Sequence, residues 1–300
     1  MGSSDGKTTN SKMQYSIPSD AASVDTDNDG FVDTAYIGDL GGNMWRFKFC
    51  KAADAASTAG CAISDWSGGR LFDGTSITPV RPIYVSPAVT RDVAGNLWVY
   101  WGTGDKNDPM KIPASPVYSE KLFAVKDANS TTAYTLSNLK DITSSSFCNE
   151  IRAGCTANQI DSQNGYYINL TAGGGGEKML AEPLIFGGVI YFTTFTPPGT
   201  SVTDCTQEGS ALLYGINYTS GAGVFASGAR SISIGSGIPS APVISMRPGG
   251  SSTADLYVTV SSGFIGCVGP DCKNTGRAPF DPPGLLNRTN VLFWKDRRLE

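Results

Sequence analysis

Short apolar bursts, rich in aromatic and β-branched residues, punctuate this chain and are separated by turn residues. Four stretches follow one plan: residues 17–49, 85–127, 181–217 and 240–296. In three of them a strand starts directly after a proline, at Pro87-Ala88-Val89, Pro183-Leu184-Ile185 and Pro242-Val243-Ile244. Proline is tolerated at the first strand residue because no ladder donor is lost there. A turn follows, then a second strand: Ala35-Tyr36-Ile37, Leu97-Trp98-Val99, Val189-Ile190-Tyr191 and Leu256-Tyr257-Val258. A loop of variable length leads to a third strand, as in Met44-Trp45-Arg46-Phe47 and Leu122-Phe123-Ala124-Val125. Propensity and turn chemistry agree at each step. Units that recur roughly 60 to 95 residues apart predict an all-β fold, a β-propeller of about four blade-like repeats. A β-sandwich is the competing architecture. Residues 1–16 are expected to be a flexible lead-in and 17–300 the propeller domain. Trp98, Trp101, Phe192 and Phe195 are expected to pack between blades rather than hold a ligand.

The first hairpin turn differs sharply between copies. It reads TRDVAGN, FGG and MRPGGSSTAD in copies two to four, and DTDNDGFVD in copy one. Four carboxylates in so short a turn repel one another unless something sits between them. The spacing places Asp25, Asp27 and Asp29 at loop positions 1, 3 and 5, Gly30 at 6 and Phe31 at 7. An EF-hand loop takes oxygens from positions 1, 3 and 5 and a carbonyl from 7, with glycine at 6 for the sharp turn. Position 12, a glutamate in a full EF-hand, is Tyr36 here, and no flanking helix is legible. The loop is therefore a shortened one, closed by Asp33, with Asn28 as a turn residue. Hard oxygen donors suit calcium rather than zinc or copper. The candidate ligands are Asp25, Asp27, Asp29, Asp33 and the Phe31 carbonyl. The alternative is a solvated acidic turn. An ion at 25–33 would order a hairpin, and no reaction is implied.

Composition narrows the function further. Net charge is −4 and basic residues are scattered, so no surface that tracks nucleic acid is expected. Charged residues make up 17%, beside 36 glycines and 17 prolines, which suits many short strands joined by turns. The absence of histidine removes Ser-His-Asp triads, His-ligated zinc and c-type haem attachment. Gly173–Gly176 lacks the G-K-[ST] ending of a phosphate loop and reads as a flexible connection. Cys50 with Cys61, Cys148 with Cys155 and Cys267 with Cys272 read as local disulfides of an oxidising compartment, leaving Cys205 odd. No apolar run is long enough to span a membrane. The start, MGSSDGKTTN, has no signal-peptide pattern, so an exported protein would have to be longer than this chain.

The run DTDNDGFVDTAYIGDLGGNMWRF resembles the calcium-binding segment of the PilY/PilC family of type IV pilus tip proteins. That family carries a D-x-D-x-D-G-x-x-D loop followed by Y-x-G-D-L-x-G-N-x-W-R-F. Here the second part falls on Tyr36, Gly38, Asp39, Leu40, Gly42, Asn43, Trp45, Arg46 and Phe47. The resemblance implies a quinoprotein-dehydrogenase-like propeller, here a partial or shortened one, with calcium at Asp25, Asp27, Asp29 and Asp33. It implies an exported, non-enzymatic protein of a Gram-negative periplasm, pilus tip or outer surface. Its expected partners are pilins and minor pilins, and a host or abiotic surface. Calcium would tune pilus extension against retraction, and with it attachment or twitching motility. A pyrroloquinoline-quinone dehydrogenase shares the fold shape, but no vicinal cysteine pair is present. A purely structural, calcium-stabilised scaffold is the third reading.

Overall fold

The computed structural model describes residues 13–28, 30–49, 66–113, 118–144, 164–172, 175–199, 208–246 and 254–261. All seven cysteines, and the strand expected at 290–296, lie outside these residues. The described chain is a β-propeller built of successive antiparallel sheets.

Blade 1 contains β1 (Ala22–Val24), β2 (Thr34–Gly38), β3 (Met44–Lys48) and β4 (Ser67–Phe72), paired in that order. Blade 2 contains β5 (Ala88–Arg91), β6 (Leu97–Gly102), β7 (Glu120–Asp127) and β9 (Gly165–Leu170), with the short β8 (Lys140–Asp141) added in parallel to β9. Blade 3 is β10 (Leu184–Phe186), β11 (Val189–Thr196), β12 (Ser210–Asn217) and β13 (Ser231–Ser236). A fourth sheet pairs β14 (Val243–Met246) with β15 (Ala254–Tyr257). The three proline-led strands begin where the sequence predicts, at Ala88, Leu184 and Val243. Each complete blade also has an outer strand that the pattern reading missed. In β4 and β13 the reason is composition: SGGRLF and SISIGS lack the aromatic and β-branched density of the inner strands.

Stacked sheets bury both faces of their middle strands, so alternate side chains face opposite neighbours. In β6, Val99 and Trp101 turn toward blade 1, where they join Tyr36, Met44 and Phe72 in one core. Trp98 and Tyr100 turn the other way and meet Ile190, Phe192 and Ile216 of blade 3. The same alternation in β11 sends Val189 and Tyr191 toward Leu256 and Val258 of the fourth sheet. Trp98, Trp101, Phe192 and Phe195 are all buried. The inner strand β5 lies beside both β1 and β10, and residues leading into the inner strands line a cavity of about 630 Å³.

One hydrogen-bonded unit occurs at two different turns. Between β2 and β3, the Asp39 carboxylate accepts bonds from the Asn43 backbone N–H (2.9 Å) and side-chain amide, and from the Trp45 indole (2.8 Å). Between β5 and β6, Asp92 takes the same bonds from Asn96 (2.8 Å) and Trp98 (2.9 Å). The spacing D-x-x-G-N-x-W thus closes a tight turn and satisfies a buried indole in one step. Gly42 sits at φ +78°, and a Cβ there would lie 2.5 Å from the Arg81 carbonyl. That explains why glycine precedes the asparagine in copy one.

The interblade packing also dictates alkaline behaviour. Burial pushes the phenols of Tyr36, Tyr166, Tyr191 and Tyr214 far above their ordinary range near 10, and Tyr167 up to about 12. The folded state then holds protons that the unfolded state releases above pH 10. Stability is full below pH 10 and falls as pH rises beyond it. Tyrosinate absorbance should appear together with loss of near-ultraviolet circular dichroism, in one cooperative step. Gradual titration of all twelve tyrosines near pH 10 with structure intact would contradict this.

Candidate metal centre

The acidic loop is the turn between β1 and β2. Its flanks are fixed by the ladder, which pairs Ala22 with Tyr36 and Val24 with Thr34. The Asp33 N–H closes the hairpin onto the Val24 carbonyl at 3.0 Å. The equivalent turn is Asp92–Asn96 in blade 2 and only Gly187–Gly188 in blade 3. Copy one therefore carries extra residues in this hairpin turn.

Within the loop the chain reverses through left-handed backbone at Asn28 (φ +65°) and Gly30 (φ +93°), in agreement with the turn roles expected of both. The Asp25 carboxylate accepts the Asn28 N–H at 2.7 Å and the Gly30 N–H at 2.8 Å. Burial works to raise the Asp25 pKa, but the backbone bonds from Gly30, Asn28 and Asp27 outweigh it and hold the group below its usual range. Asp33 is 5% exposed, and one of its oxygens, Oδ2, accepts both the N–H and the hydroxyl of Thr26. Asp27 Oδ2 is shielded from solvent.

Carboxylate oxygens of Asp25, Asp27 and Asp33 all lie within 4.8 Å of one another. Like charges so close favour a cation between them. An all-carboxylate donor set fits a hard cation such as calcium. The Phe31 ring is 70% exposed, so what this residue can offer a cation is its backbone carbonyl. Asp29 lies outside the described residues.

The loop is tied to the next blade. Arg91, at the end of β5, donates from its guanidinium to the Thr26 carbonyl. Beside it, Tyr36 donates to Asp127 Oδ2 at 2.7 Å, and Arg46 forms an ion pair with Asp127 Oδ1. Arg46 also reaches the Ser130 carbonyl at 2.8 Å, and Lys48 donates to the Asn129 side chain. Burial presses the Lys48 amine below its ordinary pKa; the nearby Arg46 adds to this and Asp127 opposes it. These groups border a cleft of about 540 Å³ between blades 1 and 2, with Asp27 and Asp33 on its rim. Asp127 was missed in the sequence because nothing local marks it. Its role comes from a partner 81 residues away.

The family model for the PilY1 beta-propeller domain matches residues 11–143, which span the loop and the clasp at Asp127. The Type IV pilus biogenesis factor PilY1 homolog of Xylella fastidiosa is 28% identical over 236 residues, covering 70% of this chain and 14% of that protein. PilY1 of Pseudomonas aeruginosa (strain PAO1) is 26% identical over 236 residues, covering 66% of this chain and 20% of that protein.

Residues 11–143 match the PilY1 beta-propeller domain, and the chain is similar to PilY1 proteins over about two thirds of its length.

It spans a fifth or less of the length of these PilY1 relatives. The solved PilY1 C-terminal domain of Pseudomonas aeruginosa superposes with a TM-score of 0.54 at 20% identity, over 82% of this chain and 59% of that one. At that identity the likeness speaks for the fold, and it agrees with the propeller architecture. Among the described residues, no helix is long and apolar enough to cross a membrane. Within the PilY1 match, the Y-x-G-D-L-x-G-N-x-W-R-F residues have physical roles. Tyr36 and Arg46 bind Asp127, Asp39 and Asn43 close the turn, and Trp45 gives its indole proton to Asp39.

Proposed function

We propose that this propeller is the non-enzymatic, calcium-binding part of a type IV pilus tip protein, in which calcium tunes pilus extension against retraction. The observation that carries this reading is the convergence of Asp25, Asp27 and Asp33 in a blade hairpin of a chain whose relatives are named type IV pilus biogenesis factors. Asp25, Asp27, Asp29, Asp33 and the Phe31 carbonyl hold the ion, which supplies positive charge to an otherwise self-repelling turn. The hairpin is anchored on both sides, by the β1–β2 ladder and by Arg91. Calcium therefore orders a local surface and leaves the blades in place. In this reading the protein is exported to the periplasm, pilus tip or outer surface. It engages pilins or minor pilins and supports attachment to a host or abiotic surface and twitching motility.

The test is Asp27→Asn in the full-length protein in cells. Pilus number or twitching should change while export and protein level stay normal. Unchanged pili and motility, with calcium binding shown to be lost, would reduce the site to a stabilising turn.

A further inference from the structure

The cleft between blades 1 and 2 is lined by cations as well as by residues of the acidic loop. Asp27, Asp33 and Asp127 line it together with Lys48, Arg91 and Asn129. Asp127 is already neutralised by Arg46 and capped by Tyr36. Lys48 and Arg91 are different. Their described bonds go to neutral oxygens, the Asn129 side chain and the Thr26 carbonyl. Among the described residues, no carboxylate lies within ion-pair distance of either. An ammonium has three donors and a guanidinium five, so each has donors left over. With the loop empty of cation, the Asp27 and Asp33 carboxylates of the lining offset Lys48 and Arg91. A divalent ion on the loop tips that balance to positive. The loop donors also leave room on such an ion. Asp33 Oδ2 is committed to Thr26, and calcium takes six to eight oxygens.

We propose that this interblade cleft binds a carboxylate side chain of an acidic protein segment, with Lys48 and Arg91 as its counter-charges, and that calcium on the loop licenses the binding. The proposal rests on the calcium reading above and names the partner chemistry of that same site. A cleft of about 540 Å³ admits a side chain and its flanking backbone but not a flat lipid surface. Charge complementarity selects an acidic segment over a basic one. Because linkage is reciprocal, the acidic segment must also raise calcium affinity by the same factor that calcium raises its own.

The experiment uses the full 300-residue chain, with fluorescein-labelled hexaglutamate as probe and hexalysine as opposite-charge control. Calcium binding is measured separately by calorimetry. Hexaglutamate anisotropy should rise with calcium and fall back with chelator. Lys48→Gln, which leaves every loop residue in place, should weaken hexaglutamate by about tenfold or more while calcium still binds. Lys106→Gln, on an exposed loop away from the cleft, should bind as wild type. Calcium binding without hexaglutamate binding overturns this proposal alone. So does equal affinity of wild type and Lys48→Gln, or a preference for hexalysine. Absence of calcium heat overturns the calcium reading and this proposal with it.

Discussion

Trp101→Ala should lower the free energy of unfolding by about 3–5 kcal/mol, the range for removing a fully buried large aromatic side chain. Trp101 is fully buried and packs against Phe123 at 5.1 Å between ring centroids and against Phe72 of blade 1 at 5.7 Å. The cavity would open at the seam between two blades. Both sheets are fixed by their own ladders, so neither can move in to fill it. Denaturant unfolding followed by tryptophan fluorescence and circular dichroism measures the loss. Phe31→Ala, at a side chain 70% exposed, should stay within about 0.5 kcal/mol of wild type. Equal small effects from both would mean that the blades do not pack through this core.

Asp127→Ala should cost about 3–5 kcal/mol through a different mechanism. The Asp127 side chain is 2% exposed and that of Arg46 12%. Removing the carboxylate strands a nearly buried guanidinium, and Tyr36 loses the acceptor of its hydroxyl. It also removes the acceptor of the Asn129 N–H, held at 2.8 Å. Asp127→Asn keeps an acceptor for Tyr36 but no charge for Arg46, so its cost should lie between wild type and alanine. Denaturant unfolding of both variants reads this order. Hydrogen exchange should rise first along β2, β3 and the 127–130 turn, while blade 3 keeps its protection. Uniform loss of protection across all blades would argue against a local clasp.

The parts of the fold legible in the sequence are those encoded locally. Prolines before Ala88, Leu184 and Val243 mark strand starts, and aromatic runs mark the doubly buried middle strands. The acidic loop was legible because its signal is also local: alternate aspartates around a glycine. The structure brings Asp25, Asp27 and Asp33 together as that spacing requires. What the pattern did not reveal depends on distant partners or weak propensity. The outer strands β4 and β13 are glycine- and serine-rich and are held by pairing with β3 and β12. The role of Asp39 as acceptor for the Trp45 indole emerges only once the turn is folded. The clasp of Tyr36 and Arg46 on Asp127 and the reach of Arg91 to Thr26 join different blades, which no local pattern records. The disulfide pairs expected from cysteine spacing fall on residues outside those described.

Calcium titration by calorimetry, on chelator-treated protein, tests the central claim most directly. Wild type should show one site, with an affinity anywhere from roughly 10⁻⁷ to 10⁻³ M for a short, partly exposed oxygen loop. Asp27→Asn and Asp33→Asn, which preserve side-chain size, should lose that heat while their circular dichroism stays that of wild type. Equal calcium binding by wild type and both variants would contradict the assignment of the ion to the hairpin between β1 and β2.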